Sequence, residues 1–165
     1  MSTEEVFEQI VRFHHAMIRR IAQTYEAKTA LVEDLVQDIY LAIWRALPAF
    51  RGESSLRTFV ARIATNRAIT HSVRASRQPS SVELTEHLPA AGDNPERQAM
   101  ALDRGARLAS AVKALPLAYR QTALLALEGL TPKEIAYVLG ISTNAVAIRM
   151  SRAKAWLREH LGDTP

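Results

Sequence analysis

Between residues 131 and 157 the chain is punctuated so closely that few local folds remain open to it. The run Thr131-Pro132-Lys133-Glu134 carries a full helix-start signal. The Thr131 hydroxyl can accept a backbone N–H bond. Pro132 suits the first helical position, where its missing N–H has no helical partner, and Glu134 stands where it can bond back to the cap. Ile135, Val138 and Leu139 supply an apolar face, Gly140 can end the helix in left-handed backbone, and Ser142 can cap a second helix. A short helix, a glycine turn and a second helix make a helix-turn-helix.

Turning the second helix by about 100° per residue puts Val146, Met150, Ala153 and Leu157 on the side expected to be buried. Asn144, Ile148 and Ser151 then face away with Arg152 beside them, and Arg149 lies at the flank of the buried stripe. A recognition helix reads bases near its N-terminal end. Asn144 is placed for that task, while Arg149 and Arg152 suit phosphate or guanine contacts. Arg149, Arg152, Lys154 and Arg158 are opposed in this segment only by Glu159 and Asp163. A net charge of +4 agrees with a polyanionic partner, although the clustering of the basic residues argues more than the total.

The rest of the chain reads as helical throughout, with no strand pattern and no repeat. A first helix begins near Thr3 and carries Val6, Phe7, Ile10, Val11, Met17, Ile18, Ile21 and Tyr25 at amphipathic spacing. A second spans Ala30 to Leu47, stopped by Pro48, and a third starts near Ser54 and passes Asn66. Pro79, Pro89, Gly92 and Pro95 then interrupt any helix. Two further helices are expected near Arg97–Leu115 and Pro116–Glu128. The fold class is therefore all-α: two small helical domains, at 1–76 and 97–165, joined by a flexible linker at 77–96.

No apolar run approaches the roughly 20 residues that cross a bilayer. The opening MSTEEVFEQI is acidic and unlike a secretion signal. Without cysteine there is no disulfide framework and no thiolate metal site. These features point to the cytoplasm and to no membrane insertion. His14 and His15 are neighbours on a helix and diverge by about 100°, so they make no chelating pair. His71 lies between Thr70 and Ser72, with no oxyanion motif nearby. Neither a catalytic constellation nor a bound cofactor or metal is expected. Trp44 and Trp156 are expected in the two cores.

The segment DLVQDIYLAIWRALPAFRGESSLRTFVARIATNRAI (Asp34 to Ile69) resembles region 2 of extracytoplasmic-function (ECF) sigma factors. The segment ALPLAYRQTALLALEGLTPKEIAYVLGISTNAVAIRMSRAKAWLRE (Ala114 to Glu159) resembles their region 4. Both occur in the family order with a linker of suitable length between them. The resemblance implies an alternative sigma factor that binds core RNA polymerase through its β′ clamp helices and β flap, recognises promoter DNA, and is held in check by an anti-sigma factor. It implies polymerase docking by Asp34, Gln37, Asp38, Leu41 and Arg45. It implies −10 recognition by Arg51, Ser54, Ser55, Arg57, Phe59, Arg62, Asn66, Arg67 and Arg74, and −35 recognition by Thr143, Asn144, Ala145, Ile148, Arg149 and Arg152.

The physical logic is that a duplex is read by a helix in the major groove, whereas a melted strand must be caught with its bases unstacked. Melting costs about 1.4 kcal/mol per base-pair step, which binding to the exposed bases must offset. An amide such as Asn66 can bond a base edge as donor and acceptor. The chain departs from the family at four positions. Phe59 stands where tryptophan is frequent, Ala61 where tyrosine is, Thr70 where an acidic residue is common, and Ala147 where lysine or arginine is. Fewer large aromatics are thus left for stacking. The competing readings are a dimeric helix-turn-helix regulator that binds operators and, from another class, a protein-interaction adaptor. The acidic helix at Asp34–Leu47 separates them, because only a polymerase subunit needs it.

Overall fold

A computed structural model describes residues 1–77 and 104–162. Among these residues every regular element is helical: α1 (Thr3–Tyr25), α2 (Thr29–Ala46), a 3-10 turn (Leu47–Ala49), α3 (Leu56–Arg77), α4 (Arg104–Ala114), α5 (Leu117–Leu127), α6 (Pro132–Leu139) and α7 (Thr143–Leu161). The all-helical expectation holds. The expected linker at 77–96 lies outside the described residues except for Arg77, which ends α3. The stretch of the fourth expected helix before Arg104 lies outside them as well.

Local chemistry sets the helix ends. Ser2 and Glu5 form a capping box on α1, with Glu5 N–H donating to Ser2 Oγ at 3.2 Å and Ser2 N–H to Glu5 Oε2 at 2.6 Å. Pro48 ends α2 through the 3-10 turn, one residue earlier than the sequence reading placed it. The Ser55 hydroxyl accepts the Thr58 N–H at 3.1 Å and starts α3 slightly later than expected. Thr131 and Glu134 form the expected capping box, and Gly140 takes φ +69° at the end of α6. The Ser142 hydroxyl accepts the Ala145 N–H at 3.0 Å and caps α7.

Helix α1 buries Ile10, Met17, Ile18, Ile21 and Ala22, and α2 buries Val32, Leu35, Val36, Ile39 and Ile43. Helix α3 contributes a face of small residues, Val60, Ala61, Ala64, Thr65 and Ala68. Such a face lets it lie close against both other helices, with which it makes extensive contact. Ala61, where the family tends to carry tyrosine, is wholly buried here. This departure therefore belongs to the packing of α3 and not to its outer surface.

The first core does not stop at the domain boundary. Leu125, Leu130, Ile135, Ala136, Val138 and Val146 continue the same buried cluster that begins at Ile10. A smaller cluster of Val112, Leu115, Ala123 and Ala153, flanked by Tyr119, Trp156 and Leu157, holds α4 and α5 to α7. Trp156 packs as expected. Trp44 does not: it is 40% exposed, with its ring set edge-on to Phe7 at 5.2 Å.

A Cβ at position 140 would meet no atom within 4 Å, so Gly140→Ala imposes left-handed backbone strain alone. It should lower unfolding free energy by about 1 kcal/mol, and Thr131→Ala should cost a similar amount through the lost cap. Urea denaturation of the two variants checks both values. An unchanged midpoint for Gly140→Ala would contradict the turn geometry.

Candidate nucleic-acid interface

Three surfaces gather the residues singled out by sequence. On α2, Asp34, Gln37, Leu41 and Arg45 are exposed and Asp38 is half-buried, all along one side of the helix. Trp44, three residues past Leu41, enlarges the apolar centre of this face. Sequence reasoning assigned Trp44 to the core. The signal that could have placed it outside was its spacing from Gln37 and Leu41, which is that of one helical face.

The second surface is the outer side of α3 with the loop before it. Arg51, Ser55, Arg57, Arg62, Asn66 and Arg74 are exposed, and Ser54 is half-buried. Arg62, Asn66 and Arg74 follow one another along the helix. Two other members are already engaged. Phe59 is half-buried and packs on Phe50, with ring centroids 4.5 Å apart, so it offers at most part of its face for stacking. Arg67 grips Asp38 with Nε to Oδ2 at 2.9 Å and Nη2 to Oδ1 and Oδ2 at 2.8 and 2.7 Å. This fork pairing sets the orientation of Arg67 toward α2 rather than along the α3 arginine row. Asp38, Ala42, Arg45, Ala46 and Arg67 together line a shallow notch where the α2 and α3 surfaces meet.

The third surface is α7. Thr143, Asn144, Ile148, Ser151 and Arg152 are exposed, Ala145 is half-buried, and Val146 and Ala153 are buried, as the helical turn requires. Ala147, lacking the longer basic side chain, is exposed on the same helix. Arg149 is half-buried, and its Nη1 is enclosed without a hydrogen-bond partner. Arg149 and Arg120 act electrostatically on the Tyr25 hydroxyl, whose pKa burial pushes up to about 12 against their opposing effect.

Electrostatics around the α6 cap reach into the first domain. The Thr131 N–H holds the Glu134 carboxyl below its ordinary value, partly opposed by burial, and the Thr58 hydroxyl and the Arg57 charge add to the lowering. Burial, then the Arg57 charge, lowers the pKa of His14. His71 bonds Glu26 through Nε2 at 2.8 Å, which ties α3 to the end of α1 and gives this histidine a structural partner. Among the described residues no group of three or more histidines or carboxylates could hold a metal ion, and no helix is long and apolar enough to cross a membrane.

Comparison with known proteins agrees with this layout. Residues 10–78 match the sigma-70 region 2 family and residues 105–157 match sigma-70 region 4. The RNA polymerase sigma factor NccH of Alcaligenes xylosoxydans xylosoxydans is 30% identical over 160 residues, covering 92% of this chain and 84% of that one. The ECF RNA polymerase sigma-E factor of Escherichia coli K12 is 28% identical over 155 residues, covering 88% and 80%. Among solved structures, CnrH in complex with the cytosolic domain of CnrY aligns with a TM-score of 0.64 at 28% identity, over 94% of this chain and 86% of that one. The sigma factor RpoE in complex with the anti-sigma factor NepR from Bartonella quintana shares the fold, with a TM-score of 0.72 at 22% identity, over 96% and 98%.

Asn144 at the N-terminal end of α7 and Arg152 about two turns further on are both exposed, and their different positions and chemistry give them different expected contacts. Arg152→Ala should weaken duplex binding about equally on all sequences and reduce the salt slope by about one. Asn144→Ala should cost about 1–3 kcal/mol on the preferred sequence and much less elsewhere. Mobility-shift titrations at several salt concentrations test this, and a strictly sequence-dependent loss from Arg152→Ala would contradict the assignment.

Proposed function

The chain belongs to the sigma-70 family, in its extracytoplasmic-function branch, and from that premise we propose how its surfaces divide the work of an alternative sigma factor that directs transcription initiation. The single observation that carries the division is the junction of α2 and α3. There an acidic, partly apolar face lies beside a row of arginines and an amide, and Asp38–Arg67 ties the two. A protein partner that is basic and partly apolar suits the first face. A nucleic-acid strand suits the second.

In this reading Asp34, Gln37, Asp38, Leu41, Trp44 and Arg45 dock on the clamp helices of the polymerase β′ subunit. Asn66 reads an unpaired base of the −10 element, with Arg62 and Arg74 following the strand backbone and Arg51, Ser54, Ser55 and Arg57 closing around it from the preceding loop. Phe59 supports this surface through Phe50. Arg67 acts by orienting Asp38. Helix α7 enters the major groove of the −35 element, Asn144 and Ile148 facing base edges and Arg152 the phosphates, while the second domain also meets the β flap. The chain performs no chemistry of its own and works in the cytoplasm. An anti-sigma factor that holds both domains is the inhibitory partner proposed for it, as CnrY and NepR are bound to the two structural neighbours. A dimeric operator-binding regulator is not favoured, because it leaves the whole region 2 surface without a task.

Asp34 is exposed, and lysine at Asp38 loses only the partly exposed pair with Arg67, worth about 0–1 kcal/mol, so the fold should survive both changes. Asp34→Lys with Asp38→Lys should reduce association with core RNA polymerase by about tenfold or more, because like charges then face a basic partner. Co-purification with core enzyme, with circular dichroism as the folding control, measures this. Undiminished co-purification of a folded variant would overturn the docking assignment.

A further inference from the structure

The outer side of α7 carries little charge at its centre. Turning the helix by about 100° per residue from Asn144 brings Ile148, Ser151 and Ala155 into one narrow sector, with Ala147 at its edge. All five side chains are exposed. They offer one amide, one hydroxyl and otherwise hydrocarbon. The basic residues stand to the sides of this sector, Arg152 and then Arg149 on one flank and Lys154 on the other. A helix set in the major groove in this orientation turns its centre to the bases and its flanks to the phosphates.

Two observations narrow what that centre can read. The cap of α7 is made by the Ser142 hydroxyl, which accepts the Ala145 N–H at 3.0 Å, so the Asn144 amide has no task in starting the helix. It keeps a donor and an acceptor for a base edge. Adenine is the base that matches both, since in the major groove its N7 accepts and its N6 donates. One turn further on, Ile148 remains 44% exposed although it is a large aliphatic side chain. With Ala147 beside it, this level of the helix offers hydrocarbon alone. The thymine methyl is the one hydrocarbon group that a base pair presents in the major groove. A turn of helix advances about 5.4 Å, which is between one and two base-pair steps.

We propose that α7 selects A·T pairs in the upstream element, Asn144 pairing with an adenine and Ile148, with Ala147 beside it, packing on a thymine methyl within two base pairs of that adenine. Asn144 Nδ2 donates to adenine N7, and its Oδ1 accepts from N6. Guanine cannot complete this fork, because it presents acceptors at both N7 and O6. Moving the thymine methyl out of water against Ile148 supplies the second preference, and a cytosine at that place has no methyl to bury. Arg152 and Lys154 add affinity through phosphates without choosing bases. This base preference rests on the assignment of α7 to the −35 duplex, which by itself leaves the bases open.

Holoenzyme assembled from the full chain and core RNA polymerase provides the test, on a promoter duplex recovered by start-site mapping of genomic fragments. Replacing each thymine of its upstream element in turn by deoxyuridine removes the methyl alone. One such replacement should weaken binding about fourfold, as expected for one buried hydrocarbon group. It should cost nothing further with Ile148→Ala, which binds the unaltered duplex more weakly by at least a similar factor. Replacing the nearby adenine by 7-deazaadenine removes the N7 acceptor. It should weaken binding by the unaltered protein about fivefold and leave Asn144→Ala indifferent. Both side chains are exposed, and circular dichroism checks that each variant keeps the fold. Deoxyuridine without effect at every thymine, or with an equal effect on Ile148→Ala, would overturn the proposal, as would a required G·C pair at the position that Asn144→Ala desensitises. If upstream binding in those cases still weakens with Arg152→Ala, the −35 assignment stands and the base preference alone falls. A holoenzyme indifferent to the upstream element and to all three α7 variants overturns both together.

Discussion

The close approach of α3 to α1 and α2 is the constraint on which the other features depend. Its inner face is built from Val60, Ala61, Ala64, Thr65 and Ala68, small side chains that leave no bulk between the helices. With that face fixed inward, helical geometry sends Arg62, Asn66 and Arg74 outward and brings Arg67 to the edge shared with α2. Ala61 is wholly buried in this face, so a large aromatic introduced there with no compensating change in its neighbours would overpack it. The outer face of α3, its edge with α2 and its contact with the second domain all follow from how this inner face packs.

Arginine recurs across the candidate nucleic-acid surfaces, and its surroundings are graded. Arg152 stands in solvent, Arg62 lies on an aromatic ring, Arg67 is forked onto a carboxylate, and Arg149 is partly enclosed. A guanidinium stacks on rings and pairs bidentately with carboxylates by the same planar geometry that suits bases and phosphates. The protein's own groups occupy Arg62 and Arg67 in this way. Exposed pairs of this kind contribute about 0–1 kcal/mol each, so a multivalent promoter can displace them.

Much of this was legible from the residues alone. The caps at Thr131 and Ser142 and the turn at Gly140 are local, and local chemistry was enough to place them. The outward set of α7 followed from helical period. The reading faltered where tertiary context decides. Trp44 was assigned inward because large aromatics are usually buried, yet its position on α2 leaves it beside Leu41 at the surface. Arg67 was placed among the residues for −10 recognition, and spacing along α3 could not reveal its carboxylate partner on another helix. The seam between the domains left no sequence signal, because Arg20 and Glu128 are 108 residues apart and each looks like an ordinary surface charge.

The proposed function gives the two helical units of the chain separate tasks, one holding the polymerase and the melted strand and the other the upstream duplex. Reconstitution with purified core RNA polymerase on a library of genomic fragments, read by sequencing of transcript starts, addresses that claim most directly. Transcripts should begin at a discrete set of sites that share paired upstream elements at constant spacing, and should vanish when either domain is omitted. Starts scattered as they are with core enzyme alone would contradict it.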